Sequence, residues 1–518
     1  MLSSATLLIG PRQLLILGIL GLSGCVRLGP DFQAPGEAWS RLWSSPALEQ
    51  ASQRGRSPDL REWWQVFNDP VLDCLIADAD ASNADLKIAG LRVMEARARL
   101  GIAESGRYPQ LQQASADSLY FNRRQSGGSN PQDSHFWQHS VGFDVGWELD
   151  FWGRFSRAIE SADASYFAAR ANYEDVLVLL RAQVADTYFA LRTTEARLRV
   201  AKENARQQQR NFEITEKLFN SGQSAELDLQ QARTQYLGTL STIPSLEDQL
   251  QRTRNALAVL VGQPPGGMPQ LAAYDGLIPL VDRAVLQDVP ASLLLRRPDV
   301  RAAELNVAAQ SALIGVAESD FYPSLTLLGS IVWSADSLDG TPRSLDLIGG
   351  PSLRWNVFDH GQISNNVRVQ DARLQQLIEV YRDKVRQAAR EADDAAGGLI
   401  KALERERILG EAEVAAKRSL VLASAQYREG YSDFQRVLDA QRALLEQQDN
   451  YLVARSNAVS NLIALYKSLG GGWYSAQPML DPATRQQMAK RTDWGDLLDE
   501  PAAAQPAFPQ PDEVKTHE

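Results

Sequence analysis

Apolar side chains recur in steps of four and three along the stretch from Phe155 to Phe219: Phe155, Ile159, Ala162, Tyr166, Ala169, Tyr173, Val176, Leu180, then after a stutter Val184, Tyr188, Leu191, Leu198, Ala201, Ala205, Phe212. The stretch holds no proline and no internal glycine, so this heptad spacing predicts one helix about 100 Å long at 1.5 Å per residue. Ile363 to Tyr427 repeats the element with a weaker, alanine-rich seam. Each ends at a glycine suited to the left-handed position past a helix, Gly222 or Gly430. A serine two residues on, Ser224 or Ser432, is placed to cap a returning helix, and Ser432 with Gln435 reads as a capping box. The returning helices span about Ala225 to Leu260, kinked at Pro244, and Asp433 to Leu469, before the stop at Gly470-Gly471-Gly472.

Elsewhere the period is two. Val141, Phe143, Val145, Trp147 and Leu149 alternate with Ser140, Gly142, Asp144, Gly146, Glu148 and Asp150, and aromatic residues stand at both ends (Phe136, Trp137, Phe151, Trp152). Such a strand, apolar on one side and wet on the other, fits a transmembrane barrel. Leu325 to Trp333 and Leu345 to Phe358 are less regular, and Leu111 to Phe121 is the weakest. Segments 126–131 and 339–342 carry the glycine, proline and asparagine or aspartate of turns.

The chain is two copies of one unit. Ala103-Glu104-Ser105 followed by Tyr108-Pro109 returns as Ala317-Glu318-Ser319 followed by Tyr322-Pro323. Trp147, Gly153 and Gly222 return as Trp355, Gly361 and Gly430, each 208 positions later. The predicted organisation is a signal peptide over 1–24, an N-terminal segment over 25–70 and a first repeat over 71–270, with strands about 109–152 and a hairpin tip near 222. A second repeat covers 271–472, with strands about 323–358 and a tip near 430, and 473–518 is a partly disordered tail.

The start of the chain decides the compartment. Arg12 precedes an apolar run, Leu14 to Leu22, too short to cross a bilayer but suited to a secretory signal. It ends in Leu22-Ser23-Gly24-Cys25, which resembles the bacterial lipobox, whose cysteine takes a diacylglyceryl and an N-acyl group; with Val26 rather than aspartate next, resemblance to sorted lipoproteins implies release to the outer membrane. Only Cys74 then remains, so no intrachain disulfide forms; in its apolar helical setting it reads as a small buried hydrophobe.

A net charge of −11 and pI near 5.1 argue against a nucleic-acid partner. No nucleophile elbow, phosphate loop or CxxC pair is present. His135 and His139 have helical metal spacing but fall in a turn and a strand, so neither catalysis nor metal binding is expected. Four strands cannot close a membrane barrel. Two chains give eight strands with a filled interior, three give twelve with a lumen, and a channel favours three.

Three motifs combine here: Gly29-Pro30-Asp31-Phe32 with Pro35, Trp63-Trp64 with Phe67, Asp69 and Leu72, and Leu294-Leu295-Arg296-Arg297-Pro298-Asp299-Val300 with Ala303-Glu304. Together they resemble the lipoprotein branch of the outer-membrane factor (TolC/OprM/NodT-like) family. The resemblance implies an α+β membrane protein: a homotrimer with a twelve-stranded transmembrane β-barrel, four strands per chain, continued by a long periplasmic α-helical barrel. It implies a passive exit duct for drugs or other small molecules, fed by an inner-membrane pump of the RND type through a periplasmic adaptor, with no cofactor beyond the lipid on Cys25. It also implies an aperture at Asp439 with Arg442, a lock between helix pairs at Asp228 and Tyr427, and adaptor-contacting tips at Gly222, Ser224, Gly430 and Ser432. Gln435 departs from the pattern, being polar where a hydrophobic ring often adds a second constriction. A duct of the same build for protein or peptide secretion, and a non-conducting envelope lipoprotein, remain as alternatives.

Overall fold

The computed structural model describes residues 27–36, 60–123, 134–266, 268–272, 277–281, 296–335, 344–474 and 478–499. Cys25, the turn segments 126–131 and 339–342, Leu294, Leu295 and the chain beyond 499 lie outside them. In chain order the elements are α1 (Pro70–Ser82), α2 (Ala84–Ser105), β1 (Leu111–Arg123), β2 (Ser134–Glu148), α3 (Arg154–Asn220), α4 (Glu226–Leu260), α5 (Pro298–Glu318), β3 (Ser324–Ala335), β4 (Ser344–Arg354), α6 (Gln362–Arg428), α7 (Phe434–Ser468) and α8 (Pro482–Arg491). Two compact units arise, one from Met1–Gly36, Met94–Ala168 and Ala303–Tyr381, the other from Glu37–Val93, Ala169–Ala302 and Arg382–Glu518. Each draws on both sequence repeats, because α3 and α6, of 67 residues each, begin in the first unit and end in the second.

In the first unit the strands form one antiparallel sheet in the order β1-β2-β3-β4, leaving β1 and β4 as edges. Val141 faces Trp333, Phe143 faces Ile331, and those residues face Leu345 and Leu347 in turn, so one side of the sheet is a continuous apolar surface. Val141, Phe143, Ile331, Trp333, Leu345 and Leu347 all stand exposed. The opposite side is mixed: Leu111 and Leu328 flank Gly146, Ser115 and Val332 flank Gly142, and the Ser330 hydroxyl donates to Asp144 at 2.7 Å.

Strand limits differ from the sequence reading. β2 ends at Glu148 and β4 at Arg354 because the next carboxylates start helices. Asp150 accepts the amides of Phe155 (3.0 Å) and Ser156 (2.9 Å), and Asp359 accepts those of Ile363 (2.7 Å) and Gly361 (3.2 Å). Asp150 is therefore a helix cap rather than a residue of the wet strand face.

The second unit is helical, and its core gathers Leu72, Leu75, Ile76, Leu177, Tyr188, Phe189, Leu191 and Leu257, all buried. The seam read from the sequence is buried at Tyr173, Leu180, Val184, Tyr188 and Leu191, but so are Leu177, Val178, Ala182, Ala185 and Phe189. Here α3 is covered on more than one face, which a two-position seam does not reveal. Asp69 caps α1 and accepts the Tyr188 hydroxyl at 2.6 Å, while buried Arg181 holds Asp80 (2.6 Å) and the carbonyls of Gly472 and Tyr474 (2.7 Å each). Pro244 does not interrupt α4. Cys74 is exposed, a correction to its expected burial: on α1 it lies beside exposed Asp73, while Leu72, Leu75 and Ile76 face inward. Part of the tail expected to be disordered forms α8, capped by Asp481 at the Thr484 amide (2.9 Å) and held by buried Met488.

Candidate functional site

At the foot of the sheet the chain start is clamped. Arg157, only 2% exposed, donates to the carbonyls of Leu28 (2.9 Å) and Gly29 (3.1 Å) and pairs with Asp31 and Glu160 (2.8 Å each). Gly29 (φ +82°) packs backbone to backbone on Gly315, where a Cβ would come within 2.5 Å of Gly315 Cα. Trp152 stacks on Tyr322 with ring centres 4.6 Å apart, and its indole donates to the Pro323 carbonyl at 2.9 Å. The sequence reading missed Arg157 and Gly315. A cation inside an apolar helical stretch was the available signal.

The hairpin tips close as their glycines require. Gly222 (φ +73°) and Gly430 (φ +78°) follow α3 and α6, and Gln223 and Tyr431 donate back to the carbonyls of Leu218 (2.8 Å) and Gln426 (2.9 Å). The serine caps do not form. The cap positions fall one residue later, at Ala225 and Asp433, and neither makes a side-chain cap. Ser224 instead donates to Asp228 (3.0 Å), Ser432 reaches the Asp433 carbonyl (3.4 Å), and Gln435 reaches Asp439 (3.1 Å), so the Ser432–Gln435 box is absent.

Behind the tips Ala232, Phe434, Val437 and Leu438 form a buried cluster on which Phe212 and Tyr427 pack. The Tyr427 ring lies 5.2 Å from that of Phe434, and its phenol pKa is raised by burial and then by the Asp228 charge, so Asp228 and Tyr427 are brought together within one chain. Asp439 pairs with Arg442 at 3.3 Å, one helical turn apart on α7, and both are more than half exposed. Next to them Gln208 of α3, Gln230 and Gln235 of α4, and Gln435, Leu438 and Arg442 of α7 line an open pocket of about 520 Å³. Sequence reasoning passed over these glutamines, although the cluster Gln207-Gln208-Gln209 in a coiled-coil helix was visible.

His139 meets the Ser118 hydroxyl (2.9 Å), and among the described residues no cluster could hold a metal ion. Nor, among them, is any helix long and apolar enough to cross a membrane.

The model of the family described as outer membrane efflux protein matches residues 75–263 and 289–471, one stretch in each repeat. The pyoverdine export outer membrane protein OpmQ of Pseudomonas putida is 33% identical over 477 residues, 90% of this chain and 99% of that protein. The cation efflux system protein CusC of Escherichia coli K12 is 31% identical over 472 residues, 88% of this chain and 97% of that one. Among solved structures, the outer-membrane channel OprN superposes with a TM-score of 0.79 at 32% identity, over 86% of this chain and 99% of that one.

Proposed function

Since this chain belongs to the outer membrane efflux protein family and is the outer-membrane channel of an efflux system, we propose that three copies close one twelve-stranded barrel, through which small molecules handed over by an RND-type pump and a periplasmic adaptor leave the cell. The four-stranded sheet carries this reading: β1 and β4 are its edges, and one face presents exposed Val141, Phe143, Ile331, Trp333, Leu345 and Leu347. In lipid such edges leave backbone groups unsatisfied, so neighbouring chains must supply the next strands. Residues 1–24 are removed, and Cys25 of the 25–70 segment receives the diacylglyceryl and N-acyl groups. The 71–270 and 271–472 repeats supply the strands and helical hairpins, and 473–518 forms the tail. The Arg157 clamp supports this anchor, since Leu28, three residues past Cys25, donates to the Trp152 carbonyl (3.2 Å) at the foot of the sheet.

At the periplasmic end Asp439 and Arg442, with Gln435, line the aperture. Asp228 and Tyr427 lock helix pairs, and the tips at Gly222, Ser224, Gly430 and Ser432 meet the adaptor. Selection of cargo lies upstream, because this chain is about equally similar to a pyoverdine exporter and a cation exporter. Detergent-extracted protein should have the mass of three chains; a folded, monodisperse monomer would contradict the shared barrel. Cys25→Ser should abolish incorporation of radioactive palmitate while some protein still reaches the outer membrane, and label retained by that variant would remove the lipobox assignment.

A further inference from the structure

Two residues on the apolar side of the sheet have no reason within the fold to be glycine. Gly329 of β3 and Gly349 of β4 stand opposite each other in the register. Neither has a positive φ. Nothing lies within 4 Å of where a Cβ of Gly329 would be, and one at Gly349 would meet only the Leu328 carbonyl, at an ordinary 3.7 Å. On the other side of the sheet the crowding is real: a Cβ at Gly142 would come within 3.1 Å of the Ser115 hydroxyl, and one at Gly146 within 3.3 Å of Leu111. A glycine inside a strand weakens it and often marks a place where another group approaches the backbone. Here the missing side chains leave an open, mostly apolar groove of about 430 Å³, lined by Phe143, Val145, Ile331 and Leu347 around the two glycines.

The depth of this groove fits one acyl chain. At the foot of the sheet Leu149 donates to the Leu325 carbonyl (2.9 Å), and exposed Phe151, Tyr322 and Trp355 lie close by in the chain, the aromatic girdle of a barrel at the lipid headgroups. Gly329 is four residues along β3 from Leu325, about 13 Å at the rise of a strand. One leaflet is half of a hydrocarbon core about 30 Å thick, so its chains reach about 15 Å. The start of the chain is fixed at the same foot. Leu28 donates to the Trp152 carbonyl (3.2 Å), and Arg27 lies against Gly153, whose Cβ would be 3.0 Å from the Arg27 Cα. From Leu28 back to Cys25 is three residues, at most about 11 Å of chain.

We propose that an acyl chain carried by Cys25 runs up the outside of the sheet and seats in the Gly329–Gly349 groove of its own chain. This rests on reading Cys25 as the lipid-bearing residue and the sheet as part of a barrel in lipid. Lipid tails are as apolar as the groove, so what holds the acyl chain there is van der Waals contact with the two bared backbones. A free phospholipid gives up its lateral motion to stay in the groove, whereas the anchor has already lost it through the contacts at Leu28 and Arg27. The anchor and the strands then form one packed wall rather than two separate attachments.

A benzophenone side chain installed at Leu347 inserts, on illumination, into a nearby C–H bond. In intact cells it should join the peptide containing Leu347 to the peptide that begins with acylated Cys25, through the acyl chain, as mass spectrometry of a digest reads directly. Gly329→Val fills the groove with a residue suited to a strand, and should lower the yield of that product about tenfold while trimer mass and acylation of Cys25 stay parental. Gly349→Val makes the same test from the neighbouring strand should the first variant not assemble. Adducts at Leu347 with phospholipid or a neighbouring chain alone, or a yield that neither glycine variant changes, overturn the groove assignment with Cys25 still acylated. An N-terminal peptide without acyl groups removes the lipobox reading and this proposal with it.

Discussion

Asp175 on α3 carries a carboxyl that its surroundings shift toward neutrality. Burial pushes its pKa up to about 6; the charge of Asp299 adds to this, Arg297 and Lys384 oppose it, and Glu391 adds a smaller push. The cluster is rigid, for Arg297 holds Asp299 (3.0 Å), Glu391 (2.9 Å) and the Ser468 carbonyl (2.8 Å). A folded pKa above the unfolded value means that protonation favours the folded chain: the contribution is complete below about pH 4 and is lost as pH rises through about 6. Asp175→Asn should therefore stabilise the protein at pH 7.5 by on the order of 1 kcal/mol after solvent screening, and flatten the stability profile between pH 4 and 6. Denaturation midpoints across that range check this, and a parental profile in the variant contradicts it. Of this cluster the sequence made only the Arg297-Pro298-Asp299 motif legible, because Asp175, Lys384 and Glu391 meet it from positions far away in the chain. Gly222 and Gly430 were readable since a positive φ demands glycine. The serine caps were misread because a single residue's shift of the helix start lies below what spacing resolves.

Strand β2 offers a comparison between two adjacent residues. Val145 lies on the apolar face opposite Gly329, whereas Asp144, one position earlier, accepts the Ser330 hydroxyl on the other face. Val145→Arg near midstrand should cost about 2 to 4 kcal/mol and reduce insertion, while Asp144→Arg should be tolerated. Folded, heat-resistant trimer in outer-membrane fractions is the readout, and equal damage at both positions would show that this face does not meet lipid. The alternation that made β2 legible is the one that its register imposes on β3 and β4, where glycines and Pro351 blur the pattern. β1 was harder still, because Ala114, Ala116 and Ser118 supply little apolar contrast on the side facing Phe143, Val141 and His139. The long helices were legible in length, as uninterrupted periodicity sets it, but not in the breadth of their buried faces, which depends on how many neighbours surround them.

For the assembled molecule the central claim is that three chains share a barrel and a charged aperture. Asp439 and Asp228 each sit with a partner in one chain, Arg442 at 3.3 Å for the first and the Tyr427 phenol beside the second. In the proposed aperture three copies of each would act on one opening equilibrium, so small contacts would multiply. Asp144 on the other side of the sheet from Val145 adds negative charge, whereas Glu148 lies 3.8 Å from the Arg154 guanidinium, and the lumen should prefer cations. The direct measurement is the single-channel conductance of purified trimer in a planar bilayer, taken for the parent and for Asp439→Ala combined with Asp228→Ala. The parent should conduct in small, cation-selective steps, and the double variant should show markedly larger conductance and admit large antibiotics in cells. A parent that forms trimers in the outer membrane but never conducts would contradict the duct, and a double variant that conducts like the parent would contradict the aperture.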